Sequence, residues 1–382
     1  MKNYSYSNSE KKGKQKRLIG LIVILCWLMA KNTEIRQSGW TVWVTEQMIP
    51  LLTYEKQCGS AQVSYEADYQ VPEWFYEDES EGAINPDHVM AETTEEKEEK
   101  KDKQEKITTL ADGGKGTTYN RSQLENEEFL LSNIFVVDAN TNMTSEELSL
   151  SNLLDRDLTI ADLKETSSKK KKEALPKILI YHTHSSESFC DSREGKKEDT
   201  IVGVGGYLTQ LLEENYNIPV YHDETTYDVI DGVLDRSRAY DNAYSSVTKI
   251  LQENPSIEVV IDLHRDGVDE ETRLVTEVNG KPTAKVMFLN GVSRSSTNGD
   301  IPYLANPNKL DNLAFSFQMY LTGKEYYGDY VRKIYVRSYR YNLHLLPRTT
   351  LIEVGAQNNT VQEEKNAMEP LAAILDKVLS KK

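Results

Sequence analysis

The sequence of 382 residues has only three cysteines, Cys26, Cys58 and Cys190, with no CxxC pair. Their scatter excludes a disulfide framework and a cysteine-based zinc knuckle. A basic face is also missing. Against 45 Lys and Arg stand 61 Asp and Glu, for a net charge of −16. Phosphate neutralisation, and with it nucleic-acid binding, is not expected from such a chain. Apolar residues are scarce as well, at 38% with 28% charged, too few for one core spanning the whole length. Long hydrophobic runs are absent near the N-terminus: residues 18–30 are thirteen residues without a charge, short of the about 20 that cross a membrane comfortably.

That run follows Lys2, Lys11, Lys12, Lys14, Lys16 and Arg17, opposed only by Glu10. A basic segment before a short apolar one has the build of a targeting signal. Leu28 and Ala30 make a poor cleavage pair, and bulky Leu25 argues against lipid attachment at Cys26, so an uncleaved signal anchor is favoured over cleavage. The positive-inside rule then places residues 31–382 outside the cytoplasm, on the cell-wall side or in a space between two membranes. The expected order is a basic cytoplasmic segment at 1–17, an anchor at 18–30 and a juxtamembrane segment at 31–56. A tether follows at 57–172. Residues 38–56 read equally as an amphipathic helix or a partly ordered stalk. The tether's residues 92–106 are almost all Glu, Lys, Asp and Thr, a composition that stays solvated and largely disordered. Ile134, Phe135, Val136 and Val137 interrupt it as a docking segment or short strand.

From residue 173 the texture changes. The patterning predicts strands at 177–182, 218–221, 257–263 and 350–354. Helices are predicted at 201–215, 236–253, 309–322 and 361–380. Two further runs, 272–278 and 283–289, flank Asn279-Gly280, a hairpin signal. Strands alternating with helices imply a single C-terminal α/β domain, 173–382, with a mostly parallel sheet flanked by helices.

Three of these strands end in chemistry. The first runs into His182, Thr183, His184, Ser185, Ser186 and Glu187; the second into His264, Arg265 and Asp266; the third carries Glu353. A catalytic zinc site takes neutral imidazoles and a carboxylate and keeps one position open to water. His184 and His264 read as such ligands, whereas His88, His222 and His344 read as surface or satisfied core histidines. His182 reads as a residue that orients a ligand or the substrate. Arg265 is placed to hold a peptide carboxylate, or equally to bridge Asp262 or Asp266. Tyr341-Asn342 and Asn358-Asn359-Thr360 line a groove or cap the helix near 361.

The His182-to-Phe189 stretch, the stretch Asp262-Leu263-His264-Arg265-Asp266 and the stretch from Leu351 to Thr360, in this order and spacing, resemble the stage II sporulation protein P family over roughly residues 174–382. The resemblance implies a fold like that of zinc-dependent N-acetylmuramoyl-L-alanine amidases. It implies a peptidoglycan hydrolase of endospore-forming bacteria that cleaves the amide between N-acetylmuramic acid and L-Ala, with endopeptidase action on cross-links, during engulfment. It further implies Zn2+ held by His184, Glu187 and His264, with Glu198 as the alternative second ligand. Glu353 becomes the catalytic carboxylate, and stage II sporulation proteins of the D and M types become partners. The competing readings are a zinc peptidase or deacetylase on another extracytoplasmic substrate, and a metal-free wall-binding domain.

Overall fold

The computed structural model describes residues 116–164 and 175–380. The expected segments at 1–17, 18–30 and 31–56, and the tether's residues 57–115 and 165–172, lie outside the described residues. Among the described residues no helix is long and apolar enough to cross a membrane.

The expected tether is corrected over 116–164, which is folded. Short helices α1 (Arg121–Leu124) and α2 (Glu127–Asn133) precede strand β1 (Phe135–Val137), and α3 (Ser145–Leu148) and α4 (Leu150–Leu153) follow it. Asn120 with Gln123, and Thr144 with Glu147, close capping boxes on α1 and α3, each satisfying two orphan amides of a helix start. Leu124, Leu130, Ile134, Phe135, Leu148, Leu150, Leu153, Leu158, Ile160 and Leu163 are all buried in the principal core. Elements of three to seven residues show no apolar period, so the segment's polar composition outweighed its core-forming leucines in the sequence. The folded unit therefore begins by residue 116 rather than at 173.

The rest follows the predicted alternation: β2 (Ile178–Tyr181), α5 (Ile201–Asn215), β3 (Val220–His222), α6 (Ala239–Glu253) and β4 (Val259–Asp266). The hairpin β5 (Val275–Val278) and β6 (Lys281–Ala284) then leads into β7 (Val286–Gly291), α7 (Lys309–Tyr327), β8 (Ile334–Arg337), β9 (Thr349–Ala356) and α8 (Val361–Leu379). At the hairpin, Asn279 and Gly280 have φ of 53° and 76°, the left-handed pair that a two-residue turn demands. The predicted run 283–289 is thus split between β6 and β7, and β8 was not foreseen.

Seven strands form the main sheet in the order β1-β8-β7-β9-β4-β2-β3. All neighbours are parallel except β7 and β9, which are antiparallel. One face packs across its width on α5, α7 and α8, through Ile178, Ile180, Ile261, Leu263, Phe288, Ile352 and Val354. On the other face Leu179, Tyr181 and Val260 pack on Ala243, Val247 and Ile250 of α6. Over β7 and β9 the cover comes from the segment after β8, where Tyr341 and Leu343 meet Leu289 and Leu351, with Tyr240 from the start of α6 packed against them. Because β-strand side chains alternate, Asp262 and His264 point to the α6 side while Leu263 points into the principal core.

Candidate active site

β2 and β4 end side by side, with Tyr181 paired to Asp262. The chain beyond β2 turns at once: the amide of Glu187 donates to the carbonyl of His184 at 3.1 Å. This turn sets His184 and Glu187 against His264. The His184 and His264 rings meet edge-on with centroids 5.1 Å apart. Glu187 Oε2 lies 3.6 Å from Nδ1 of His264 and accepts the amide of Arg265 at 3.0 Å. All three side chains are buried.

Two carboxylates hold this cluster. Asp262 Oδ1 is 2.8 Å from Nε2 of His264. The same Asp262 accepts the Thr183 amide at 2.9 Å and the Thr183 hydroxyl at 2.7 Å, so it binds the ends of β2 and β4 together. Asp228, with no solvent exposure, accepts the Ser185 hydroxyl at 2.7 Å, the Ser186 amide at 3.1 Å and the Ser186 hydroxyl. It thereby fixes the two residues between His184 and Glu187. Sequence reasoning missed both roles. Asp262 was legible, standing two residues before His264 and so on the same strand face; Asp228 arrives from a loop after β3 that carries no local signal.

The electrostatics are those of a cation between two anions. Burial opposes charge on His264, but Asp262 first and Glu187 second raise its pKa well above the ordinary value. Burial likewise opposes ionisation of Glu187, yet His264, Arg265 and His184 hold it below the usual carboxylate range. Asp262 is also held low, by His264 and Thr183 against burial.

Glu353 on β9 is the register partner of His264 on β4, so the two side chains stand on the same sheet face. Tyr240 completes this wall: its ring lies 5.6 Å from that of His184 and 5.6 Å from that of Tyr341. Burial, then the charge of Asp262, then Tyr341 and Glu353 push the Tyr240 hydroxyl well above its ordinary pKa, keeping it protonated. Asn342 donates to the Tyr240 carbonyl at 2.8 Å, which anchors this ring's backbone.

The remaining expectations separate. Glu198 is 57% exposed and pairs with Arg193 at 3.4 Å, whereas Glu187 is 4% exposed against His264. His182 is corrected as a substrate contact. It points to the opposite sheet face with no exposure, its Nδ1 2.8 Å from the Leu263 carbonyl and its Nε2 3.0 Å from Nε2 of His222. Burial, then His222, lowers its pKa to about 3. Gly205 of α5 lies flat against this ring; a Cβ there would fall 2.5 Å from its Cε1. Arg265 makes neither expected bridge, since its guanidinium donates to the carbonyls of Ser188 and Asp266. Asp266 pairs instead with Arg332 at 2.6 Å. Thr360 caps α8 with Glu363, and Asn359 is buried against Ala356 and Leu274; both serve the fold. His344 stacks on Tyr244.

As the side chains stand, no group of three or more His, Cys, Asp or Glu among the described residues is disposed to hold a metal ion. The donor types are nevertheless those a catalytic zinc takes: two imidazoles and one carboxylate, with His264 beside each of the other two and a carboxylate behind its ring.

Fold and site together define an α/β protein with a histidine–carboxylate centre at the carboxyl ends of two adjacent parallel strands. The chain belongs to the Stage II sporulation protein P (SpoIIP) family, whose profile matches residues 50–376. It is similar to Stage II sporulation protein P of Bacillus subtilis (strain 168), with 23% identity over 262 residues, 62% of this chain and 63% of that protein. The chain thus spans about 63% of the length of that relative. Among solved structures it resembles the N-acetylmuramoyl-L-alanine amidase AmiC2 of Nostoc punctiforme, at 11% identity and TM-score 0.30, over 53% of this chain and 97% of that one. It also resembles the amidase Ami1 of Mycobacterium smegmatis, at 11% identity and TM-score 0.32, again over 53% and 97%. Likenesses of this size are too slight to bear on the reading of the site.

Proposed function

We propose that the chain is a membrane-anchored, extracytoplasmic peptidoglycan hydrolase of endospore formation. It uses zinc to cleave the amide between N-acetylmuramic acid and L-Ala, and acts also on peptide cross-links during engulfment. Membership of the sporulation family supports the biological setting. The observation that carries the chemistry is the meeting of His184, Glu187 and His264 at two strand ends, with Glu353 in register one strand away.

His184, Glu187 and His264 would hold the metal. A zinc ion there supplies Lewis acidity toward an amide carbonyl and a water. Asp262 fixes the His264 ring by holding Nε2, which leaves Nδ1 as the nitrogen facing Glu187. Glu353 takes the proton from the attacking water and returns it to the departing amine. Tyr240, kept protonated, stands with its ring against His184. The anchor at 18–30 rests on the sequence, and partners of the D and M types rest on family membership.

The test is digestion of purified sacculi by the full chain, with released fragments identified by mass and zinc measured in the same preparation. Free N-acetylmuramic acid termini with new L-Ala amino termini support the reading. Products cut only at another amide, or none from zinc-loaded protein, overturn it.

A further inference from the structure

β9 changes its step just beyond Glu353. Glu353 pairs with His264 and Ala356 with Asp266, so β9 takes three steps where β4 takes two. The extra residue makes a bulge, a device that re-aims a side chain beside it. Gly355, at the bulge, has a φ of 51°, which residues with a side chain rarely adopt. The bulge amides are held elsewhere than on β4. Gly355 donates to the Lys285 carbonyl at 2.8 Å, and Ala356 donates to Oδ1 of Asn359 at 3.0 Å. Glu364 stands behind this bulge. It lies in the first turn of α8, where the Thr360–Glu363 capping box fixes the backbone and the Glu364 amide donates to the Thr360 carbonyl at 3.2 Å. Its side chain is fully buried, and neither carboxyl oxygen has a hydrogen-bond partner. A Cβ on Gly355 would overlap Oε1 of Glu364, so the carboxyl occupies the space that the glycine leaves. Burial, then Glu363, raise its pKa well above the ordinary value, so the group stands neutral. A buried carboxyl without a partner destabilises a fold. Packing alone would favour an apolar residue here, so the acid calls for another explanation.

We propose that Glu364 is a positioning residue for Glu353: its flat carboxyl end seats the β9 bulge, and the bulge sets where the Glu353 carboxylate stands relative to His264. The assignment rests on the reading of Glu353 as the group that moves the proton, and adds what holds that group in place. An unbranched stem with a planar end fits against a backbone that has no Cβ. A branched leucine does not, and alanine leaves the space empty. α8 covers the sheet face opposite the one that carries His264 and Glu353, so Glu364 acts from behind the strand. Only Val354 separates Glu353 from Gly355, and Val354 is itself locked in the principal core. A shift of the bulge therefore passes directly to Glu353. Reacting groups tolerate little slack: a displacement of about 1 Å can cost about 100-fold in rate.

The experiment is a double-mutant cycle on the zinc-loaded full chain digesting purified sacculi. Glu364→Ala, assayed well below its melting temperature, should lower kcat by about 100-fold, with KM and zinc content unchanged. Glu364→Gln has the same flat end without charge and should restore the wild-type kcat. In the Glu353→Gln background, Glu364→Ala should cost nothing further, because a misplaced base and an absent one are equivalent. A residue that served stability alone would cost the same in both backgrounds. If Glu364→Ala does not fold, Glu364→Leu, which fills the volume without the planar end, takes its place in the cycle. Wild-type kcat in the alanine or leucine variant overturns the proposal. So does an equal further loss in the Glu353→Gln background, or a Glu364→Gln protein as slow as Glu364→Ala. Failure of the broader reading looks different: Glu353→Gln would itself keep wild-type hydrolysis, which removes Glu353, and Glu364 with it, from the mechanism.

Discussion

Asp262 stands 2.8 Å from Nε2 of His264, on the far side of the ring from Glu187, which lies 3.6 Å from Nδ1. One imidazole is thus held from behind by one carboxylate and presented to another. A partner behind a ligand fixes the tautomer and orientation of the ring, and its loss typically costs about 10–100-fold in metal affinity. Asp262→Asn is therefore expected to weaken zinc binding by that factor while His264→Ala abolishes it. Chelator competition on both variants is the measurement. Unchanged affinity in Asp262→Asn would remove Asp262 from the site.

Glu353 faces the same space from β9. Glu353→Gln keeps the size of the side chain but takes no proton. The expected outcome is wild-type fold and zinc content with hydrolysis slowed by about 10²–10⁴-fold, the usual size of a general acid–base contribution. Loss of zinc in this variant would make Glu353 a ligand instead.

The segment 116–164 is tied to the body by a buried ion pair. Arg294 donates to Glu147 at 2.6 Å, and Lys309 lies 2.9 Å from the other oxygen. Burial works against charge on Glu147, but Arg294, the Thr144 amide and Lys309 hold its pKa below the ordinary value. A depressed folded-state pKa means stability that is present above the unfolded pKa of about 4.3 and lost as pH falls through the folded value. Thermal unfolding should thus show a loss of stability below that pH that is smaller in Glu147→Gln. At neutral pH, removing one partner of a buried pair costs about 3–5 kcal/mol. A Glu147→Gln protein with wild-type stability at pH 7 would show that the pair contributes nothing.

A fragment starting at residue 116 should unfold cooperatively, and one starting at 174 should not. The latter lacks Leu130, Ile134, Phe135 and Leu153, each at most 2% exposed, and leaves β8 without its neighbour β1. Within the longer fragment, Leu153→Ala should cost about 2–5 kcal/mol, as buried leucines do. Calorimetry on the two fragments decides the matter: a sharp transition in the shorter one would return the boundary to 173.

What could be read in the sequence had one property in common, a period long enough to repeat. The apolar positions Ile201, Val204, Leu208, Leu211 and Leu212 located α5, and Ile201–Asn215 is the observed helix. Asn358-Asn359-Thr360, read as a groove lining or a cap, includes the residue that caps α8, Thr360. The strands carrying His264 and Glu353 stood out because buried strands read as unbroken apolar runs. Strand β8 alternates instead, with Ile334 and Val336 buried and Tyr335 and Arg337 half-open, and four residues of alternation pass unnoticed. Asp228 grips Ser185 across 43 residues of chain, and no local pattern encodes such a partner. His182 misled because it stands two residues before His184, the spacing of one strand face, whereas the strand ends at Tyr181 and the chain turns beyond it.

The folded unit consists of two described stretches, 116–164 and 175–380, whose tie is not only covalent. Ile160 donates its amide to the Leu379 carbonyl at 2.9 Å, Lys164 pairs with Asp376 at 2.7 Å, and β1 is hydrogen-bonded into the sheet. A protein cut once at the four lysines 169–172 would therefore remain assembled, its halves joined as two subunits of an obligate heterodimer are. Seen that way, residues 116–164 behave as a permanently bound partner that happens to be encoded upstream. Cleavage that frees the enzyme from whatever precedes it would have to fall before residue 116, and a cut after residue 164 would release nothing.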